Sequence, residues 1–394
     1  MNKNKILLFT AVLTASFITA CGGKSADAYY KDGNKLMESG KYEDAVTAFE
    51  QAINKNAERA EYYIADGFAY IGLERYDEAI NQFNKGYSEK DNQVVRENNK
   101  AIYRGRGIAE LKAGKYEDAL DTFNKALEIK EYSELNSDIK KYTALANIKL
   151  GNYKAAAELY EELLKSEKPY AELYCKLADT YAAIGEFDKA VENYELAIGL
   201  DKDNFDSYFG EYELYLNNDR KDEAMAALEK AAAIKVTDDM SGYKSGILEY
   251  LRGNYEKAEV TLGTAYDKKI YEASYYLAKI AETGGDFASA KMYFQRYEKD
   301  TGRVSLSGWY DGMAECEIRE ENYEGALQHV LKGLALEDIS YMKSLLLKKI
   351  TVYEKLNNYE EAYNASVEYL KLYPKDEKVS KESMFLKSRF KAKK

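Results

Sequence analysis

A small or turn-forming residue, one spacer, an aromatic, two spacers and an alanine recur along this chain. Six copies keep the glycine, at Gly40/Tyr42/Ala45, Gly114/Tyr116/Ala119, Gly151/Tyr153/Ala156, Gly185/Phe187/Ala190, Gly253/Tyr255/Ala258 and Gly285/Phe287/Ala290. Looser copies stand at Glu74/Tyr76/Ala79, Asp219/Lys221/Ala224, Glu321/Tyr323/Ala326 and Asn357/Tyr359/Ala362. Their third positions advance in steps of 34, 40, 37, 34, 34, 34, 32, 36 and 36 residues. A period this regular over most of the chain argues against a compact globule and specifies a one-dimensional array of one repeated unit.

Each unit reads as two helices with the motif at their junction. Tyr174, Leu177, Ala178, Tyr181 and Ile184 recur at helical spacing and form one apolar face. Gly185 can take the backbone conformation that ends that helix. Phe187 then opens the second helix, whose inward stripe continues through Ala190, Tyr194 and Ala197. Large side chains set against small ones let antiparallel helices approach closely. A single hairpin is too small to cover both its faces, and stacking supplies the cover. Only 2 prolines and 46% hydrophobic residues suit long helices with short junctions.

These residues resemble the tetratricopeptide repeat (TPR), with a small residue in the first helix, glycine and an aromatic at the turn, and alanine, aromatic, alanine in the second. Repeat two matches with Gly67, Tyr70, Tyr76, Ala79 and Phe83, and repeat five with Leu177, Ala178, Tyr181, Gly185, Phe187, Ala190, Tyr194 and Ala197. The family's closing proline is matched by Pro374 and, one residue displaced, by Pro169. Departures are largest in repeat six, where Lys221 replaces the aromatic, and in repeat ten, where Ser366 replaces a larger core residue. The resemblance implies an all-α, right-handed superhelical solenoid of about ten hairpins over residues 26–376.

The chain opens on Lys3 and Lys5, followed by an apolar run from Ile6 to Ala20, the length of an export signal and too short for a comfortable membrane span. Ile18-Thr19-Ala20-Cys21 resembles a bacterial lipobox, which implies removal of residues 1–20 and lipidation of Cys21. Residues 21–25 then form a short spacer, and the repeats lie on the extracytoplasmic face of a bacterial membrane, held by acyl chains. Gly22 does not resemble the inner-membrane retention signal of Gram-negative lipoproteins. Losing Lys3 and Lys5 takes the formal net charge from -11 to -13. An acidic array is a poor partner for nucleic acid and is repelled by anionic lipid, so the membrane contact expected is the lipid itself.

The step of 40 places extra length around Ser88 to Asn99, expected as a longer connection, with a similar lengthening at Asn136 to Asp138. No proline- or serine-rich linker divides the rest, so one continuous repeat domain is expected, with a possible flexible point at the imperfect sixth unit. Residues 377–394 read as a capping helix, in which Met384, Phe385, Leu386 and Phe390 cover the last repeat, and a basic tail with Lys387, Arg389, Lys391, Lys393 and Lys394.

In the resembled family the first helices line a concave peptide-binding surface. That register brings forward Tyr30, Phe68, Arg104, Lys141, Phe209, Tyr243 and Tyr275 as groove candidates. The aromatics offer apolar contact with an orienting hydroxyl, and Arg104 with Lys141 can meet a carboxylate. The lysine, asparagine and arginine set with which resembled chaperone-binding domains clamp a C-terminal carboxylate is not reproduced, because Asn34 and Asp179 do not complete it.

Chemistry has little support. His329 is the single histidine and falls on a second helix, in a surface or inter-helix role. Cys175 and Cys316 lie several repeats apart and read as buried, unpaired thiols. Asp201, Asp203 and Asp206 lack the glycine and glutamate of a calcium loop. No phosphate loop, dinucleotide fingerprint, zinc-protease helix or nucleophile elbow occurs, so neither a cofactor nor a metal nor an enzymatic activity is expected. The function expected is a lipid-anchored scaffold for a protein or peptide partner. The alternative is an envelope lipoprotein that stacks a solute or cell-wall polysaccharide on its aromatic groove residues.

Overall fold

The computed structural model describes residues 24–302, 304–336 and 339–392. Cys21 and the signal segment 1–20 lie outside the described residues. Among those described there are 21 α-helices, one 3-10 turn and no strand.

The helices pair in chain order as α1 (Ala26–Glu38) with α2 (Tyr42–Lys55), α3 (Ala60–Gly72) with α4 (Tyr76–Gly86), α5 (Gln93–Lys112) with α6 (Tyr116–Glu128), α7 (Asn136–Lys149) with α8 (Tyr153–Ser166), and α9 (Ala171–Ile184) with α10 (Phe187–Leu200). Next come α11 (Phe205–Asn217) and α12 (Lys221–Ala231), and the chain divides into two compact units between Ala224 and Met225, inside α12. The second unit continues with α13 (Asp239–Leu251) and α14 (Tyr255–Asp267), α15 (Ala273–Thr283) and α16 (Phe287–Thr301), α17 (Ser307–Arg319) and α18 (Tyr323–Leu334), α19 (Ile339–Lys355) and α20 (Tyr359–Leu372), and a last helix α21 (Glu377–Ala392). The fold is all-α and built of stacked helix hairpins.

All ten motif residues at the third position open a second helix. The residue two before each sits at positive φ, from 70° to 86° at the six glycines and from 57° to 61° at Glu74, Asp219, Glu321 and Asn357. The following N–H then bonds back to a carbonyl five residues earlier, as from Lys41 to Leu36 at 2.9 Å and from Glu186 to Tyr181 at 2.9 Å. That bond satisfies a carbonyl left open at the helix end and turns the chain directly into the next helix. The looser copies therefore reproduce the same turn with side chains for which this conformation is less favourable.

Close approach within a hairpin follows from the small residue sixteen positions before the second helix's large one. A Cβ on Gly67 would fall 2.7 Å from the Phe83 ring, and Phe49 meets Gly33 and Phe123 meets Gly107 in the same way. Phe49, Phe83 and Phe123 are fully buried as a result.

The extra length before repeat three is mostly helix and not the longer connection expected. Asn92 accepts a bond from the Val95 N–H at 3.1 Å and starts α5 early, giving it 20 residues. Ser88 and Asn99 hold the remaining short link by two mutual bonds of 3.2 and 2.7 Å. At the C-terminus, α21 buries Val379, Ser383 and Leu386, but Met384 and Phe385 face solvent at 67% and 49% exposure. The covering role expected of those two is corrected by the helical period, which puts them on the face away from α20. The side chain of Phe390, and those of Lys391, Lys393 and Lys394, fall outside the description.

Candidate functional site

First helices of successive hairpins touch along the first unit, α1 to α3, α3 to α5, α5 to α7 and α9 to α11. No comparable packing joins α7 to α9, and a cavity of about 620 Å³ opens there. Arg104 of α5, Asp138 and Lys141 of α7 and Glu172, Lys176 and Asp179 of α9 supply its charged wall. Tyr142, Leu145 and Ile148 of α7, with Tyr160, Tyr170 and Leu173, supply the apolar wall. A second cavity of about 320 Å³ continues along α9 and α11, bounded by Glu213, Leu214 and Asn217. Asp179 belongs to both, so the two form one groove across three first helices.

The three cations of this groove are each already paired. Arg104 donates from Nε to Asp138 at 2.5 Å, and its guanidinium lies 5.5 Å from the Phe68 ring centre. Lys141 reaches Glu167 at 3.2 Å and stands 5.4 Å from the centre of the Tyr170 ring. Burial depresses the Lys141 ammonium, but the Tyr170 hydroxyl and Glu167 outweigh it and hold the group above its ordinary value. Lys176 lies 3.6 Å from Asp179. Asp179 also accepts the Tyr194 hydroxyl at 2.5 Å, which, behind the effect of burial, pushes that phenol well up. Burial, then Asp179, takes Tyr160 up to about 12. The phenols therefore remain neutral donors at physiological pH, and the wall offers no unpaired cation for a ligand carboxylate to neutralise.

Of the residues singled out in the sequence, Arg104 and Lys141 meet in this one groove, with Phe68 directly beneath Arg104. Tyr30 lies elsewhere, half-buried against Phe49 and Tyr62 with ring centres 5.9 and 5.2 Å away. Phe209 packs on Phe205 at 5.9 Å. In the second unit Tyr243 and Tyr275 converge on Tyr276, at 6.3 and 5.2 Å, and the Tyr275 hydroxyl shares a 3.1 Å bond with that of Tyr341. Tyr275 is thus an inter-repeat packing residue as well as a member of the first-helix face.

Other residues resolve into structural roles. His329 Nδ1 contacts Glu317 at 2.7 Å and its ring packs 5.5 Å from Trp309, an inter-helix position. Cys175 and Cys316 are buried and free, and Cys175 bonds the Ser207 hydroxyl at 3.1 Å. Asp201 Oδ1 accepts from the Asp203 N–H, a turn bond. Among the described residues no group of three or more His, Cys, Asp or Glu is placed to hold a metal, and no helix is long and apolar enough to cross a membrane.

Several wall residues escaped the sequence reading. Phe68 stands six residues before its turn position, and the same register in later repeats gives Leu145, Asp179 and Glu213, all in the groove. Applying that register together with the one that gives Arg104 would have found them. Tyr170 lies in the link before α9, where helical spacing carries no signal.

Comparison with known proteins gives the tetratricopeptide repeat model as a match over residues 30–94, 69–134 and 104–173, and a second model of the same description over 171–204. These cover residues 30–204 without a break. Among curated proteins, the bovine BBSome complex member BBS4 is 28% identical over 153 residues, covering 38% of this chain and 29% of that one. A TPR repeat-containing protein of Methanocaldococcus jannaschii is 25% identical, covering 90% of this chain and 71% of that one. A DnaJ homolog subfamily C member 7 homolog of Dictyostelium discoideum is 23% identical, covering 86% of this chain and 57% of that one. The chain thus spans under a third of BBS4 and just over half of the DnaJ homolog. Among solved structures, a tetratricopeptide repeat protein of Parabacteroides merdae matches with TM-score 0.47 and 17% identity, covering 62% of this chain and 93% of its own. YrrB, described as a TPR protein with an unusual peptide-binding site, matches with TM-score 0.38 and 21% identity, covering 47% of this chain and 90% of its own.

Proposed function

We propose that this chain, which carries tetratricopeptide repeats and so a scaffold suited to protein–protein interaction, holds an extended peptide segment of a partner in the groove of α7, α9 and α11. The observation that carries this reading is the continuous groove with Asp179 as a shared wall, whose cations are satisfied internally. Tyr170 and Leu145 are each 37% exposed and are available to an apolar side chain of the segment. Neutral phenols at Tyr142 and Tyr160 can bond its backbone. A carboxylate at Arg104 or Lys141 would have to displace Asp138 or Glu167, which disfavours a charge-clamped terminus. The scaffold is non-enzymatic in this reading, takes no cofactor and binds no nucleic acid.

The placement proposed is the extracytoplasmic face of a bacterial membrane, with acylated Cys21 as the first residue of the mature chain. The Ile18-Thr19-Ala20-Cys21 sequence supports it. Mass analysis of the mature N-terminus tests it, and an unmodified Cys21 or a chain that still carries residues 1–20 would remove it.

Selection from a random displayed-peptide library tests the groove. Enriched peptides should share an apolar anchor and lose at least about tenfold in affinity on Leu145→Asp, the loss of one buried apolar contact plus a desolvated charge. Failure to enrich, or binding indifferent to Leu145→Asp, would defeat the peptide reading. Saturable binding of cell-wall polysaccharide that is lost on Tyr170→Ala would favour the glycan alternative.

A further inference from the structure

The first unit holds a second concavity that shares no wall with the groove. Its volume of about 480 Å³ is bounded by Glu50, Ile53 and Asn54 of α2, Tyr63 of α3, and Gln82 and Lys85 of α4. Glu50 and Lys85 are exposed, while Tyr63 and Gln82 are both only 9% exposed and form the floor. The side-chain carbonyl of Gln82 accepts no hydrogen bond from any protein group.

Asp66 of α3 is not itself a wall residue of this cavity but lies on the same stripe of α3 as one. Tyr63, Asp66 and Tyr70 follow i, i+3, i+7 spacing and share one stripe of α3. Tyr63 contributes to the cavity wall and the Tyr70 hydroxyl reaches Glu50 at 3.4 Å. Between them Asp66 is 0% exposed, and neither of its carboxylate oxygens accepts a hydrogen bond from the protein. The charges that act on its carboxyl are Glu50, which raises it, and Lys85, which lowers it, both of them groups at the cavity mouth. Packing does not require an acid here, since the same repeat position is an acid again at Asp32 and Glu211 but Leu177, Leu277 and Met313 in other repeats.

A buried amide carbonyl without a donor is costly until one arrives, and a buried carboxylate without one is costly until a positive charge comes near. A primary ammonium brings three N–H donors and a positive charge. A simple amine would also meet Lys85, whereas a molecule bearing its own carboxylate turns that repulsion into attraction. We propose that this concavity binds a small zwitterion of the amino-acid type, its ammonium towards Gln82 and Asp66 and its carboxylate towards Lys85. The cavity volume falls in the range of small-molecule sites. This site is independent of the peptide groove.

Calorimetric titration of the full chain with L-alanine, ethylamine and propionate tests the assignment at pH 8. Alanine should bind saturably and at least about tenfold more tightly than either half-molecule. Asp66→Asn, with Asp66→Leu as the second variant should the amide impair folding, should weaken alanine by about tenfold or more. Lys85→Ala should erase the preference of alanine over ethylamine. No saturable heat with alanine, equal binding of ethylamine by the native chain, or unchanged binding by both Asp66 variants would overturn the assignment. Binding seen only after Lys85→Ala would mean that Lys85 fills the cavity itself, and would also overturn it.

Discussion

Asp66 sets up a pH dependence of stability with a definite sign. Burial first, then Glu50, raises its carboxyl from an ordinary 3.8 to about 7, with Lys85 opposing. Between pH 4 and 7 the folded chain therefore holds a proton that the unfolded chain has released, so stability falls as pH rises through that window. At roughly 1.36 kcal/mol per unit, the penalty reaches at most about 4 kcal/mol above pH 7. Asp66→Asn removes the titration but leaves a buried amide, a pH-independent cost of about 1–3 kcal/mol. The difference between variant and native stability should thus climb by up to about 2.7 kcal/mol from pH 5 to 8, the two units of the shift that lie above pH 5, whatever its value at the low end. Repeat arrays do not unfold in one step, so local stability is the quantity to read. Hydrogen-exchange mass spectrometry on peptides of α3 and α4 supplies it, with the α17 segment around Trp309 as internal control. Glu354 in the second unit, raised to about 7 by burial and then by Glu382, is common to both proteins and cancels. A difference that stays flat within about 0.5 kcal/mol, or falls with pH, would refute the reasoning.

Three further outcomes follow from the geometry. Glu321→Gly, which relieves a φ of 61° at an exposed turn, should raise stability by about 1 kcal/mol in local exchange of α17 and α18, and an unchanged or lower value would show the turn to be unstrained. Gly210→Ala places a methyl inside the Tyr194 ring, so it should cost about 1–3 kcal/mol and, by shifting the Tyr194 bond to Asp179, weaken selected groove peptides, as read by melting and by titration. Cys316, fully buried and pushed up to about 12 by burial and then by Glu282, should resist a thiol reagent in the folded chain and react only on unfolding, while native reaction at the free-thiol rate would contradict its placement.

The architecture was legible because one steric requirement repeats. A residue at positive φ followed by a helix-opening aromatic leaves a mark every few dozen residues; Glu74, Glu321 and Asn357 could be found from the aromatic and alanine that follow, and Asp219 from its spacing and Ala224. Ionic partners across repeats leave no comparable mark. Arg104 was visible as a cation on a first helix, but its pairing with Asp138 depends on how α5 and α7 are spaced, and many acids in the chain could have supplied that role. Asp66 was not legible as an exception, because its repeat position is also polar at Asp32, Arg106, Thr143, Glu211, Ser245 and Lys349. Its burial without a hydrogen-bond donor depends on how α3 packs in the stack, which leaves no mark in the repeat.

The pairing of the groove cations also narrows what the groove can select. Arg104 to Asp138 joins α5 to α7, and Lys141 to Glu167 ties α7 to the link that leads into α9. In the second unit Lys348 of α19 does the same with Asp311 of α17, at 2.9 Å and with both side chains at most 14% exposed. Such pairs fix the spacing of first helices, so a ligand that breaks one must compensate for lost packing between repeats as well as for the ion pair. Three cations and three anions line the larger cavity, which leaves it close to neutral on a chain of formal charge -11. Long-range attraction then comes from the rest of the surface and falls with salt. Discrimination at close range is left to the tyrosines and to Leu145, Ile148 and Leu173, which read shape and apolar area. A groove of this kind favours a partner segment by its side-chain profile and not by its charge.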